Sequence, residues 1–157
     1  MSTTLTGTAS AARLLNEGYG TGAWHGPDLK AALGGVAGDE AFWRPGAGRH
    51  NVAEIAIHHA YCAHNVRAKL AGEPIEPFAI DGDDWFDVSQ LPWPTILDLV
   101  EREQHQLAAT ATALEAGRTT SPLSDAERLD LVLGITSHAV YHAGQIQLIK
   151  VLHAGRQ

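Results

Sequence analysis

Two histidines near the C-terminus, His138 and His142, are the residues of this chain whose type and spacing best suit chemistry. Residues four apart lie one turn above each other on the same face of an α-helix. Neutral imidazole is the commonest protein ligand for zinc and also suits nickel, copper and iron. The spacing therefore allows both rings to reach one metal ion. Apolar residues share this helical face, so both rings should point into the protein interior: Leu131, Ile135, Ile146 and Ile149.

A third histidine from a neighbouring helix would favour a metal site over a pair of hydrogen-bonded core histidines. The second predicted helix offers His58, His59 and His64. Both His58 and His59 border its apolar stripe, whereas His64 lies well off it. Periodicity therefore leaves the choice between His58 and His59 open. The remaining histidines are expected at the surface or, for His105, also at the edge of a site: His25, His50, His105 and His153.

Several functional classes are excluded by missing patterns. Ala139 follows His138, where a zinc protease of the His-Glu-x-x-His type carries its glutamate. The chain has no Gly-x-Ser-x-Gly turn, no phosphate-binding loop and no dinucleotide fingerprint. The formal net charge of −7, without a basic cluster, argues against nucleic-acid binding. No stretch approaches the roughly 18–20 apolar residues that a membrane-spanning helix needs, so no membrane partner is expected.

Composition indicates a soluble protein with one hydrophobic core. The length of 157 residues fits a single domain over 1–157. Cys62 is the only cysteine, which excludes an intrachain disulfide and is compatible with a reducing compartment. No basic segment followed by an apolar run opens the chain, so we expect no secretory signal and a cytoplasmic location. A lone cysteine on an apolar helix face is more often a core residue than a nucleophile.

Apolar residues at helical spacing predict four amphipathic helices, and no alternating pattern indicates a strand. Asn51 with Glu54, and Ser124 with Glu127, form the pattern of a capping box at two helix starts. The sequence therefore predicts an all-α four-helix bundle. The predicted helices run from Thr8 to Val36 with a break near Gly20–Pro27, from Asn51 to Leu70, from Trp93 or Pro94 to Gly117, and from Ser124 to Gly155.

A long irregular segment over 73–92 separates the second and third predicted helices. It carries the acidic run 81–84, followed by Trp85 and Phe86. Loops of this length without regular structure are uncommon in compact domains and are often functional. The favoured interpretation is that both aromatic rings plug the end of the bundle, and the alternative is that this loop lines the mouth of a site.

Two runs of the sequence resemble the DinB/YfiT-like superfamily. Asn51-Val52-Ala53-Glu54-Ile55-Ala56-Ile57-His58, after a Trp-Arg-Pro-Gly loop, is similar to the second helix of that superfamily. His138-x-x-x-His142-Ala143-Gly144-Gln145-Ile146 is similar to its fourth helix. The resemblance covers essentially the whole chain, with both motifs in the expected order.

This resemblance implies a fold, a metal site and a range of activities. The implied fold is an up-down-down-up four-helix bundle, often a homodimer. The implied cofactor is a divalent metal, zinc or nickel, held by three histidines. The family ligand four residues after the glutamate of the Ala-Glu-Ile run is His58, so the implied ligands are His58, His138 and His142. Relatives include transferases and isomerases that use low-molecular-weight thiols such as bacillithiol or mycothiol, and metal-dependent hydrolases.

Three histidine ligands leave a fourth position open, as in catalytic zinc sites. The sequence thus favours an enzyme that activates a thiol cofactor or water for transfer, isomerisation or hydrolysis of a small molecule. Tyr61 and Tyr141 are candidates for proton transfer, although packing is the commoner role of such tyrosines. Gln145, three residues after His142, is a candidate for orienting a ligand. The alternative function is a non-catalytic metal- or ligand-binding bundle.

Overall fold

The computed structural model describes residues 10–20 and 22–156. Within these ranges the chain forms six helices and no strand, which confirms the predicted all-α class. The number of helices differs from the predicted four, because three short helices precede three long ones. Their bounds are α1 Ala11–Gly18, α2 Leu29–Leu33, α3 Gly38–Phe42, α4 Val52–Ala71, α5 Trp93–Glu115 and α6 Asp125–Ala154.

Two of the three long helices, α4 and α6, begin where the sequence places capping residues. At the start of α4, the Asn51 side chain accepts from the Glu54 backbone N–H while the Glu54 carboxylate accepts from the Asn51 N–H. Ser124 and Glu127 form the same reciprocal box before α6. Gly72 ends α4 in the left-handed conformation (φ 68°), which a glycine adopts at no steric cost. These caps fix where the histidine-bearing turns fall along each helix.

The break that the sequence predicts near Gly20–Pro27 in the first helix is confirmed, and the predicted start at Thr8 lies outside the described residues. α1 ends at Gly18, and an irregular segment follows until the Asp28 side chain caps α2. Gly35, with φ 74°, separates α2 from α3, so glycine interrupts this region twice. The predicted segment from Thr8 to Val36 therefore contains two short helices, and α3 lies just beyond its predicted end.

α1 packs closely against α6 beside the histidine pair. A Cβ built on Gly18 would lie 2.9 Å from Ala139 Cβ and 3.0 Å from the Thr136 carbonyl oxygen, so only glycine fits at this crossing. The Thr136 hydroxyl donates to the Leu14 carbonyl at 3.2 Å across the same contact. α1 thereby supports the turn of α6 that carries His138.

α4 is buried on almost every side because it packs against both α5 and α6. The prediction that His64 lies off the inner stripe is therefore wrong: His64 is buried against α5, and both His58 and His59 are buried as well. On α6, Leu129 is exposed near the start of the helix. A single-stripe pattern describes a surface helix and fails for a central one. No helix in the described part of the chain is long and apolar enough to cross a membrane.

Candidate metal site

Three imidazoles from α4 and α6 meet through their Nε2 atoms. His138 Nε2 lies 3.0 Å from His58 Nε2 and 3.0 Å from His142 Nε2. His58 and His142 are buried, and His138 is half-buried. The structure thus brings together the three histidines that the family resemblance selects, with His138 in the middle.

The other nitrogen of His58 faces only oxygen atoms. His58 Nδ1 lies 3.0 Å from both the backbone carbonyl oxygen and the Oδ1 carboxylate oxygen of Asp84. Since both are acceptors, Nδ1 carries the proton and donates. The neutral ring then has its lone pair on Nε2, directed at His138. Asp84 has φ 60°, and in a non-glycine residue such a conformation is often associated with a functional site.

His142 is held in the same way by its own helix. His142 Nδ1 lies 2.6 Å from Gln145 Oε1, and Gln145 Nε2 donates to the Tyr141 hydroxyl at 3.1 Å. Because the amide oxygen accepts, the His142 proton lies on Nδ1 and its lone pair on Nε2. The Nε2 lone pairs of His58 and His142 therefore both point toward His138 Nε2.

Burial favours the neutral form of the His138 and His142 rings. Desolvation, followed by the neighbouring His142 and His58, lowers the pKa of His138 from 6.5 to about 4. Desolvation also lowers the pKa of His142, and the hydrogen bond that His142 donates to Gln145 opposes this shift. Neutral imidazole is the form that ligates metals, so these rings need lose no proton to bind one near neutral pH.

The donor set fits a divalent metal of the zinc and nickel type. Zinc binds histidine nitrogen at 2.0–2.1 Å, so nitrogens of a tetrahedral site stand about 3.4 Å apart. The two observed separations of 3.0 Å, each measured from His138, are slightly shorter than this. Among the described residues, the potential ligand atoms that all lie within 4.8 Å of one another come from His58, Cys62 and His138, a set that does not include His142. Carbonyl, carboxylate and amide oxygens on the outer nitrogens are the usual partners of metal-bound histidines.

Cys62 lies at the edge of this cluster. Its Sγ is 3.9 Å from His58 Nε2, and the ligand atoms of Cys62, His58 and His138 all lie within 4.8 Å of one another. Burial, followed by the charge of Asp84, raises the pKa of the thiol to about 11. Cys62 is half-buried and packs against the core, in line with the prediction, and its place beside the histidines is what the prediction misses.

The 73–92 segment covers the cluster with an aromatic ring. Trp85 stacks on His58 at a ring-centroid distance of 4.2 Å, and His50 stacks on the outer face of Trp85 at 3.5 Å. Glu54 Oε2 holds His50 Nδ1 at 3.0 Å. Phe86 is buried, whereas Trp85 is 38% exposed. Phe86 therefore fills space in the core as predicted, whereas the Trp85 ring covers the cluster on the side of His58.

The candidate tyrosines are less central than the histidines. The Tyr61 ring packs against Phe78 and Phe86, and its hydroxyl donates to Asp83 Oδ1 at 3.4 Å. Tyr141 is 63% exposed and reaches His142 through Gln145. Neither hydroxyl has a hydrogen bond to the three clustered histidines.

Two residues at the site have no signal in the sequence that would select them. Asp84 is one of several carboxylates in an acidic run, and Gln104 is one of several polar residues on α5. Periodicity offers His59 as the alternative to His58, and the structure gives it a different position. Its Nδ1 lies 3.4 Å from His138 Nδ1 and its Nε2 lies 3.2 Å from Gln104 Oε1. His59 therefore contacts the back of His138.

The chain matches one family model. The model of the DinB superfamily matches residues 23–146, a range that includes His58, His138 and His142. No curated protein and no solved structure matches the chain significantly. The resemblance stated from the sequence motifs is thereby confirmed at the level of the superfamily.

Proposed function

The chain belongs to the DinB superfamily, and we propose that it binds a divalent metal ion, zinc or nickel, through His58, His138 and His142. We further propose that the site is catalytic and serves a metal-dependent transferase, isomerase or hydrolase that acts on a small molecule. The observation that carries the proposal is the approach of two Nε2 lone pairs, from His58 and His142, to His138 Nε2 at 3.0 Å each. Imidazole lone pairs that point toward one place are the arrangement by which several histidines bind a single metal ion.

A metal held by three histidines would keep one position open, where it could lower the pKa of a bound thiol or water or polarise the bond of a substrate oxygen. The chain's own residues supply the orientation. Asp84 and Gln145 fix the protons of His58 and His142 on the nitrogens that face away from the cluster. Trp85 limits the access of water from the side of the 73–92 segment.

The same proposal includes the finer features that the resemblance implies. The four helices of an up-down-down-up bundle would be α1, α4, α5 and α6, which pack on one another. The cofactor that the site activates would be a low-molecular-weight thiol, and the protein would be cytoplasmic. A homodimer is supported by exposed apolar residues along one face of α6, namely Tyr141, Leu148 and Leu152. Size-exclusion chromatography with light scattering tests the dimer.

Metal analysis tests the ligand set. Protein purified without a nickel-affinity step is stripped with chelator and titrated with zinc and with nickel. His58→Ala, His138→Ala and His142→Ala should each weaken binding by more than the roughly 10–100-fold that loss of an outer partner costs. His105 is an exposed histidine on α5, so His105→Ala is the matched control and should bind metal as the wild type does. Equal affinity of all four variants would refute the ligand set.

Turnover tests whether the site is catalytic. The zinc-loaded and nickel-loaded proteins are assayed with a panel of electrophiles and low-molecular-weight thiols, and with a panel of esters and amides. The proposal expects conjugation or hydrolysis that chelator abolishes and metal restores. Activity that survives chelator and the His138→Ala substitution would contradict it.

A second candidate function is a non-catalytic metal-binding bundle with a closed site. The closeness of Cys62 Sγ to His58 and His138 favours it, because a fourth ligand from the protein is typical of structural zinc. Cobalt substitution separates the two candidates. A sulfur-to-cobalt charge-transfer band that disappears in Cys62→Ser would support the closed site, and its absence in the wild type would support the open one.

A further inference from the structure

His138, the central ring of the cluster, is the only one of the three whose outer nitrogen faces another histidine. His138 Nδ1 lies 3.4 Å from His59 Nδ1, and the two rings are stacked at a centroid distance of 5.6 Å. Two Nδ1 atoms form a hydrogen bond only if one of them carries a proton and the other does not. The position of the proton on His138 is therefore decided by His59.

His59 is in turn held by Gln104 of α5. His59 Nε2 lies 3.2 Å from Gln104 Oε1, both residues are buried, and an amide oxygen only accepts. The proton of the neutral His59 ring is therefore on Nε2, which leaves its Nδ1 as an acceptor. His138 must then donate from its own Nδ1, and its lone pair lies on Nε2, toward His58 and His142.

We propose that Gln104 and His59 are positioning residues that hold His138 in the tautomer able to bind a metal. This inference rests on the proposed metal site and deepens it. The opposite tautomer would place the His138 proton on Nε2, between the lone pairs of His58 and His142, where it would occupy the position that the metal needs. Gln104 acts through His59, and neither residue touches the metal.

The positioning role of Gln104 and His59 explains two features of the structure that the three metal ligands do not explain. α5 contributes none of the three histidines, yet it places the buried polar side chain of Gln104 next to α4. His59 is fully buried, and a buried imidazole requires partners for both nitrogens. Gln104 and His138 are those partners.

The test uses one isosteric substitution, one that keeps the acceptor and one control. Gln104→Met removes the acceptor at nearly the same side-chain length. Gln104→Glu keeps an acceptor in its place. Gln106→Met makes the same change at an exposed position of the same helix. Each variant is checked for fold by circular dichroism and thermal unfolding without metal, and its zinc affinity is then measured by competition with a chelating dye.

Gln104→Met should bind zinc roughly 10–100-fold more weakly, which is the usual effect of losing a partner of a metal-bound histidine. Gln104→Glu should bind at least as tightly as the wild type, and Gln106→Met should be unchanged. A loss of less than about threefold in a folded Gln104→Met protein would overturn the inference. A loss in Gln104→Met that Gln104→Glu fails to restore would also overturn it, because packing rather than the acceptor would then be responsible.

Nitrogen-15 NMR of the metal-free protein reads the tautomers directly and does not depend on metal binding. The wild type should show the His59 proton on Nε2 and the His138 proton on Nδ1, and Gln104→Met should shift His138 toward the Nε2 tautomer. A wild-type His59 that is protonated on Nδ1 would refute the inference even if zinc binds. If the wild type shows the expected tautomers but binds no metal, the proposed function fails while the assignment of Gln104 and His59 stands.

Discussion

His64 should be a structural residue whose loss destabilises the protein without changing its metal affinity. Its Nδ1 lies 3.1 Å from Glu103 Oε2 and its Nε2 lies 2.8 Å from the Glu76 carbonyl oxygen, so the ring joins α4, α5 and the 73–92 segment. The side chains of His64 and Glu103 are 9% and 5% exposed. His64→Ala leaves the Glu103 carboxylate buried, with the exposed guanidinium of Arg102 at 3.2 Å as its remaining partner.

Breaking a buried pair by removing one partner costs about 3–5 kcal/mol. Because Arg102 still compensates part of the charge, we expect His64→Ala to lower the free energy of unfolding by about 3 kcal/mol. Urea unfolding with an unchanged m-value measures the loss. Combining His64→Ala with Glu103→Leu removes the stranded charge and should recover part of the stability, whereas zinc affinity should stay at the wild-type value throughout. A loss below about 1 kcal/mol, or a double variant less stable than His64→Ala, would refute the reasoning.

Three further predictions follow from the site. The free energy of unfolding of the metal-free protein should fall as the pH falls from 6.5 toward 4. In that range these histidines take up protons in the unfolded chain, while burial in the folded protein holds the pKa of His59 at about 3 and that of His138 at about 4. Unfolding measured between pH 6.5 and 4 should show no such slope if the rings are solvated. Nickel should quench tryptophan fluorescence mainly through Trp85, so Trp85→Phe should lose most of the quenching and Trp24→Phe, which alters a fully exposed ring, should keep it. Cys62 should react slowly with a thiol reagent at pH 7 and about tenfold faster for each pH unit toward 11, and a rate already constant above pH 8 would contradict the raised pKa.

Local rules predicted the parts of this protein that depend on neighbours in sequence. The capping boxes at Asn51 and Ser124 and the glycine end of α4 follow from residues within one turn of each other. The pairing of His138 with His142 follows from the helical repeat in the same way. These features could be predicted because a helix brings residues three and four apart together whatever the rest of the fold does.

The remaining features depend on contacts between distant segments. Whether His58 or His59 meets the Nε2 atom of His138 is decided by how α4 packs between α5 and α6, and α4 is buried on too many sides for its periodicity to choose. Asp84 reaches His58 from 26 residues away, and Gln104 reaches His59 from 45 residues away. No repeat in the sequence indicates these distances, so the family resemblance selected His58 and the structure alone added Asp84 and Gln104.

The central claim is that three histidine nitrogens, and no sulfur, hold the metal. X-ray absorption at the zinc edge of the stoichiometrically loaded protein tests it most directly, because zinc–nitrogen distances of 2.0–2.1 Å and zinc–sulfur distances of about 2.3 Å are resolved from each other. We predict that the first shell of the zinc contains only nitrogen and oxygen atoms. The outer-shell scattering should correspond to three imidazole rings in the wild type and to two in His142→Ala. A sulfur atom in the first shell, lost in Cys62→Ser, or imidazole scattering unchanged in His142→Ala, would contradict the account.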